Sequence, residues 1–335
     1  MKSRSAIRGI NLGGWLVVEK WMTPSLFRGI DAIDEHSLSQ TAEGRRRIVQ
    51  HRKSFITEDD LVWMATHGVE LVRIPVGYWL FQGTDEYVGG LTELDWAMDM
   101  AERHGLQVLL DLHGLPGSQN GKMHSGKQGE KLWYAEEKFQ RRSLELCEIA
   151  AKRYGNSAAL WGIEIINEPI VTSWREQVVL RRYYRNAYKL LDKMLPQSVY
   201  IVFSDAFMPL LMAGALLGKR AMMDVHWYSF GTNWHKYDSP EQYFRKVQRR
   251  ARMLRFLQLF HPVIIGEWNM MMEHGARERF AVTPGRKMSV EHYHVQKAAY
   301  ERAVAHTYWS YKAEHEGSWN YRNLIEQGLI SEVEK

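Results

Sequence analysis

The chain has 335 residues, 45% of them hydrophobic, and 44 Lys and Arg stand against 39 Asp and Glu for a formal net charge of +5. That length supports one large core, and a single domain over residues 1–335 is expected. No apolar run is long enough to span a membrane, basic runs such as Arg45-Arg46-Arg47 and Arg249-Arg250 read as solvated helix faces rather than a nucleic-acid footprint, and the lone Cys147 excludes an intramolecular disulfide.

Met1 to Gly9 lacks an apolar signal core and a small-residue cleavage site, so as written the chain reads as cytoplasmic; a secreted chain trimmed of its leader would read the same. From there short β-rich runs alternate with longer amphipathic stretches. Candidate strands are Ile7 to Leu12, Leu71 to Pro75, Gln107 to Leu112, Leu160 to Ile166, Val199 to Phe203, Ala221 to His226, Val263 to Gly266 and His306 to Ser310. The first clear helix signal is Thr57-Glu-Asp-Asp60, where Thr57 caps and the acids suit the positive helix end. Further helical patterns cover Glu93 to Arg103, Lys131 to Tyr154, Trp174 to Leu195, Pro240 to Phe260 and Ser289 to Val304, and Cys147 lies in the apolar pattern of one of them as a packing residue. Strand and helix alternating eight times predict an α/β fold, a closed (β/α)8 TIM barrel with elaborated catalytic-face loops at about residues 13–56 and 113–130. An open dinucleotide-binding sheet would need a GxGxxG turn, but Gly13-Gly14 runs on into Trp15 and Leu16.

Polar residues gather at the far ends of these strands: Asn11, Arg73, His113, Asn167 with Glu168, His226 with Tyr228, Glu267 and Trp309. In a parallel barrel that end is where a site is assembled from many strands. Two carboxylates there suit glycosidic bond cleavage, which needs a proton donor for the leaving oxygen and a carboxylate near the anomeric carbon. Glu168 and Glu267 fill those roles, with the charge of Glu267 expected to raise the pKa of Glu168 and keep it protonated. Arg73 would hold Glu267 ionised, Tyr228 would donate to the same carboxylate, Asn167 would meet a sugar 2-hydroxyl, and His113 and His226 would form the pocket floor. Asp111 and Glu164, two and four residues before His113 and Glu168, read as structural polar groups inside the barrel. Glu19 is a candidate acceptor for sugar hydroxyls. The 13 Trp, 16 Tyr and 11 Phe supply flat rings suited to sugar faces. No metal site is expected, because His292 and His294 diverge on a helix and leave only His113 and His226; no cofactor motif occurs.

These motifs resemble glycoside hydrolase family 5, and Arg8-Gly-Ile-Asn-Leu-Gly-Gly-Trp-Leu-Val-Val-Glu-Lys-Trp-Met-Thr-Pro-Ser-Leu-Phe27 is similar to the opening of its exo-β-1,3-glucanase and β-glucosidase group. Val72 to Pro75, Asp111 to Gly121, Glu164 to Pro169, Val225 to Tyr228, Ile265 to Trp268 and Tyr308 to Glu314 follow in family order. The resemblance implies a retaining mechanism with Glu168 as acid/base and Glu267 as nucleophile. Arg73, His113, Asn167, His226, Tyr228 and Trp309 would support them, with Trp309 beneath the terminal sugar and Glu19 binding it. It implies exo cleavage releasing glucose from a β-glucan oligosaccharide or β-glucoside, with no nucleic-acid or membrane partner. The alternatives are an endo-β-1,4-glucanase or another β-glycosidase of the family, and a carbohydrate-binding pseudoenzyme.

Overall fold

The computed structural model describes residues 5–81, 84–230, 239–272 and 285–331. Eight parallel strands pair in chain order: β1 (Ile7–Asn11), β2 (Leu71–Gly77), β3 (Gln107–Gly114), β4 (Leu160–Glu164), β5 (Tyr200–Ser204), β6 (Ala221–His226), β7 (Val263–Trp268) and β8 (Ala305–Tyr308). β1 pairs with both β2 and β8, closing the predicted barrel. Strands covered on both faces need apolar residues in nearly continuous runs, and every residue of β2, β4, β6, β7 and β8 is buried.

The helices outside follow from their caps and apolar stripes. The Asp60 carboxylate accepts from the Thr57 amide and hydroxyl at the start of Glu58–Thr66. The Ser173 hydroxyl accepts from the Glu176 amide to open Trp174–Met194, whose inner face buries Leu180, Tyr183, Tyr184, Ala187 and Leu191 at three- and four-residue spacing. Ser239 caps Pro240–Leu257, with Pro240 at a first-turn position that needs no donor.

Three expectations are revised. The repeat is incomplete: between β5 and β6 the only helix is the four-residue Pro209–Met212, in a stretch where Gly218 takes a positive φ and Leu210, Leu211 and Leu217 are exposed. The helix expected from Lys131 starts at Glu137, because the amides of Leu132 and Trp133 turn aside to the carbonyl of Gly117. Residues 13–56 are not simply loop; they carry the 3-10 turn Pro24–Phe27 and the helices Glu35–Ser39 and Ala42–Ser54. That insertion is pinned by Arg52, which donates to Glu35 and to the carbonyls of Leu16, Val88 and Gly89.

Two-residue alternation builds the barrel interior in layers. The lowest is apolar, with Leu71, Leu109, Trp161, Val202, Met222, Ile264 and Ala305 in one cluster. Above it stand Arg73, Asp111 and Asp224, two residues on in their strands, and Glu164, three residues past Trp161 because the register of β4 shifts against β3, all buried. The mouth lies above this charged layer.

Candidate active site

Arg73 organises the charged layer. Its Nε donates to Glu164 at 2.9 Å, one terminal nitrogen lies 3.1 Å from Asp111, and the other donates to Glu267 at 3.1 Å and to Asn11 at 3.0 Å. Burial disfavours its cation, but the charges of Asp111, Glu164, Glu267 and Asp224 raise its pKa well above the ordinary arginine value. Asp111 also takes His113 Nδ1 at 2.6 Å, so it and Glu164 are the interior polar groups the alternation indicated.

Glu168 lies four residues past the last paired residue of β4, where Ile165 and Asn167 still donate to Val202 and Leu112 of the flanking strands. Its φ is +42°, a conformation that costs a non-glycine residue roughly 1–3 kcal/mol and needs outside support. Gln119 supplies part of it by donating to the carbonyls of His113 and Asn167, and the Asn120 amide reaches the Glu168 carbonyl. Glu267 reaches the mouth because the register of β7 shifts against both β6 and β8. Gly266 makes the turn possible: a Cβ there would stand 2.0 Å from the Asp224 carboxylate.

The two glutamates converge. His226 Nδ1 lies 2.8 Å from Glu168 Oε1 and 3.5 Å from Glu267 Oε2, and an oxygen of each carboxylate falls within 4.8 Å of the other. That gap belongs with the roughly 5–5.5 Å carboxyl spacing of retaining enzymes, not the wider inverting one. Tyr228 donates to Glu267 Oε2 at 2.6 Å, and Arg250 fixes the tyrosine's loop by donating to the carbonyls of Trp227 and Tyr228.

A cavity of about 320 Å³ opens over them, lined by Glu19, Trp21, His113, His124, Glu168, Tyr228, Phe230, Glu267, Trp309 and Trp319. Trp309 stacks on His113 with ring centroids 5.7 Å apart, and its indole occupies the space a Cβ on Gly13 would need. Glu19 takes a hydrogen bond from the Trp21 indole at 2.8 Å. Arg73, Asn167 and His226 stand behind the wall. Asn167 is fully buried, with its oxygen on Arg73 and its nitrogen 3.4 Å from His113, so it braces the site from below. Its amide nitrogen carries two hydrogens, and the 3.4 Å contact with His113 engages one of them.

Trp21, His124, Phe230 and Trp319 are wall residues that the sequence reading did not single out. Trp21 was within reach of that reading, two residues after Glu19; the other three sit in irregular segments where no periodicity reports orientation.

The protonation pattern reverses one expectation. Burial pushes the Glu168 carboxyl up, but the hydrogen bond and charge of His226, with His124 and His113, outweigh it and bring it to about 2. Burial, helped by the charge of Glu168, raises Glu267 despite His226 and Arg73. Burial opposes charge on His226, but the carboxylates of Glu267 and Asp224 raise it well above the usual imidazole range. In the substrate-free site the shared proton therefore rests on His226, one hydrogen bond from Glu168. Burial also lifts Glu19 to about 7, against the opposing effects of His113 and Trp21.

Among the described residues, two groups have donor atoms close enough to share an ion: Glu164, Asp224 and His226, and Glu168, His226 and Glu267. Arg73, His226, Tyr228 and the Gly266 amide bond oxygens of these carboxylates, while buried Glu164 Oε1 has no hydrogen-bond partner. His292 lies in the helix Gly285–Tyr300 against Tyr243 and Phe244, outside this constellation.

A closed parallel barrel with two close carboxylates at its mouth defines a retaining glycoside hydrolase. The family model described as cellulase (glycosyl hydrolase family 5) matches residues 38–315, and the chain belongs to that family. A probable glucan 1,3-beta-glucosidase A from Emericella nidulans is 35% identical over 271 residues, covering 78% of this chain and 66% of the relative, just under two thirds of its length. A protein of the same name from Aspergillus niger is 31% identical, with 97% of this chain and 87% of the relative covered. Among solved structures, a rutinosidase from Aspergillus niger shares the fold at a TM-score of 0.80 and 20% identity over 97% of this chain and 98% of its own. An endoglucanase from Pseudomonas stutzeri in complex with cellobiose does so at 0.58 and 16%, over 98% and 93%. No helix among the described residues is long and apolar enough to cross a membrane.

Proposed function

We propose that this chain is an exo-acting β-1,3-glucosidase that releases glucose from the non-reducing end of β-1,3-glucan oligosaccharides, with Glu267 as nucleophile and Glu168 as acid/base. The observation that carries the reading is the cavity. At about 320 Å³ it is at the small end of the roughly 300–1,000 Å³ typical of ligand pockets, and both glutamates, Glu19 and the Trp309 face line it. Trp21, Trp319 and Phe230 build one aromatic wall of it through edge contacts at 4.9 and 5.9 Å, which supports binding of a terminal ring. The names of the fungal relatives supply the linkage.

In this mechanism Glu267 attacks the anomeric carbon while a proton passes to the glycosidic oxygen from Glu168, giving a glycosyl ester and the free alcohol. Glu168 takes up its proton on the cavity-side oxygen as the sugar displaces water from the mouth, while His226 Nδ1 keeps its 2.8 Å hold on Oε1. Esterified Glu267 no longer bears charge, and Glu168 then takes a proton from the water that hydrolyses the ester. Tyr228 and Arg73 stabilise Glu267 both as nucleophile and as leaving carboxylate.

A time course with laminari-oligosaccharides, cello-oligosaccharides and an aryl β-glucoside tests the specificity. Glucose alone from the β-1,3 series is expected, whereas a ladder of products would show an endo-acting groove. For the roles, Glu267→Ala should abolish turnover and be rescued by azide with inverted product, while Glu168→Ala should still be glycosylated by substrates with good leaving groups. The reverse pattern would exchange the two assignments.

A further inference from the structure

We infer that His124 is a positioning residue for the acid/base step, holding the cavity-side oxygen of Glu168 in line with the leaving group. The inference rests on the assignment of Glu168 as acid/base. The Glu168 carboxyl is bracketed by two imidazoles in different settings. His226 holds Oε1 from behind the wall, with Asp224 3.3 Å from its other nitrogen. His124 brings Nε2 to 3.4 Å from Oε2, and it lines the cavity where His226 does not. The side chains of Glu168 and His124 are 17% and 19% exposed, so both open onto the space where an aglycone oxygen would sit.

The loop bearing His124 is built to hold it there. Met123–Ser125 is a single 3-10 turn. Ser125 is buried and bonds Ser118 at 2.6 Å and the Lys122 carbonyl at 2.7 Å. Asn120 bonds the Lys122 amide with its oxygen and the Glu168 carbonyl with its nitrogen, so the turn is fastened to the backbone of the residue whose side chain it faces. The His124 ring stands edge-on to His113 at 5.3 Å, and its buried Nδ1 has no hydrogen-bond partner.

Burial, with the like charges of His113 and His226, pulls His124 down to about 4 in spite of Glu168 and Asp111, so it is a neutral imidazole at working pH. A neutral ring can face Glu168 in both halves of the cycle, where a second cation would pin the carboxylate in its ionised form. With Oε1 committed to His226, Oε2 is the oxygen left to deliver the proton, and His124 fixes its direction. The role is one of alignment. Loss of His124 should therefore cost most where protonation of the leaving group matters most.

The experiment compares wild type, His124→Ala, His124→Gln, His124→Asn and Glu168→Gln on aryl β-glucosides of graded leaving-group acidity, over a range of pH. Glutamine places its amide near the position of Nε2, asparagine near that of Nδ1. For His124→Ala we expect kcat/KM to fall about tenfold or more with the poorest leaving groups and within about twofold with the best. The basic limb of the profile should move up by about one pH unit, since a contact favouring ionised Glu168 is gone. His124→Gln should restore both features and His124→Asn neither, a contrast that decides the matter even if the alanine variant folds poorly. A loss uniform across leaving groups with the pH limbs unmoved, or asparagine rescuing as well as glutamine, would overturn the inference. Glu168→Gln separates the two levels. If it shows the steep leaving-group dependence and the His124 variants do not, only the inference fails; if it shows none, the acid/base assignment fails and the inference with it.

Discussion

Among the described residues two arginines are buried, Arg52 at 1% exposure and Arg73 at 0%, and their surroundings differ in one respect that separates scaffold from site. Arg52 meets one carboxylate, Glu35, and its terminal nitrogens also donate to backbone carbonyls of Leu16, Val88 and Gly89, while its buried Nε has no hydrogen-bond partner. Arg73 lies within 4 Å of four carboxylates, Asp111, Glu164, Asp224 and Glu267. A balanced pair is electrically quiet and only fixes geometry. A single cation among four acids leaves surplus negative charge in a dry place, which protons must relieve: burial drives Glu164 well above the ordinary carboxylate range even against Arg73, and His226 is held as a cation. A site that moves protons benefits from that surplus.

The sharpest way to break the contrast is Arg73→Met. Turnover should fall on the order of 10²–10³-fold in initial-rate assays, because Glu267 loses its cationic partner. Its stability should recover as pH is lowered from 7 to 5, since the stranded carboxyls can take up protons. A variant with normal turnover would mean that Arg73 is as structural as Arg52.

Arg52→Met should behave in the opposite sense, destabilising by roughly 3–5 kcal/mol in denaturant titrations while turnover per folded molecule stays within about twofold. Adding Glu35→Gln should return part of the loss, because no buried charge is then left unpaired. If the single variant loses turnover in the folded state, the insertion does more than wall the pocket.

A third effect concerns the insertion alone. His51 in the helix Ala42–Ser54 bonds the Gly14 carbonyl at 2.7 Å, and burial lowers its pKa from 6.5 to about 4. Between those values the unfolded chain binds more protons than the folded one, so stability is full above pH 6.5 and drains as pH falls toward 4. At roughly 1.4 kcal/mol per unit, about 2 kcal/mol should be lost through His51 between pH 6.5 and 5. His51→Gln should flatten that part of a stability-versus-pH curve, and an unchanged slope would assign the effect elsewhere.

The smallest effect is expected at Glu19, on the boundary between insertion and site. Its folded value near 7 lies above its ordinary 4.5, so ionising it costs stability as pH rises between the two. Glu19→Gln should gain roughly 1–2 kcal/mol at pH 8 while KM rises; a gain without a change in KM would remove it from the sugar site.

Much of this was legible in the sequence because it depends on short-range regularities. Strand alternation placed Glu164 below Glu168 and Asp111 below His113, and the apolar runs ended at the mouth where Glu168 and Glu267 stand. What escaped depends on register and on irregular chain. The shift that turns Glu267 toward Glu168 has no sequence period, and the hold of Arg73 on the Asn167 oxygen is not announced by its adjacency to Glu168. His124 escaped for the same reason: its orientation is set by Ser118, Asn120 and Ser125, not by a strand. The direction of the Glu168 shift was missed because two-carboxylate reasoning leaves out the imidazole between them.

The seam between β1 and β8 joins Ile7 to Ala305 and Ile10 to Tyr308, segments nearly a whole chain apart. Contacts of such separation form slowly, after more local pairings are in place. At the same seam the Asn11 amide donates to the carbonyls of Gly266, Thr307 and Tyr308, and its oxygen receives Arg73, the group that also holds Glu267. A chain in which β1 and β8 are unpaired lacks the finished charge layer, so catalytic competence requires closure. Recovery of activity during refolding accordingly reports a closed ring.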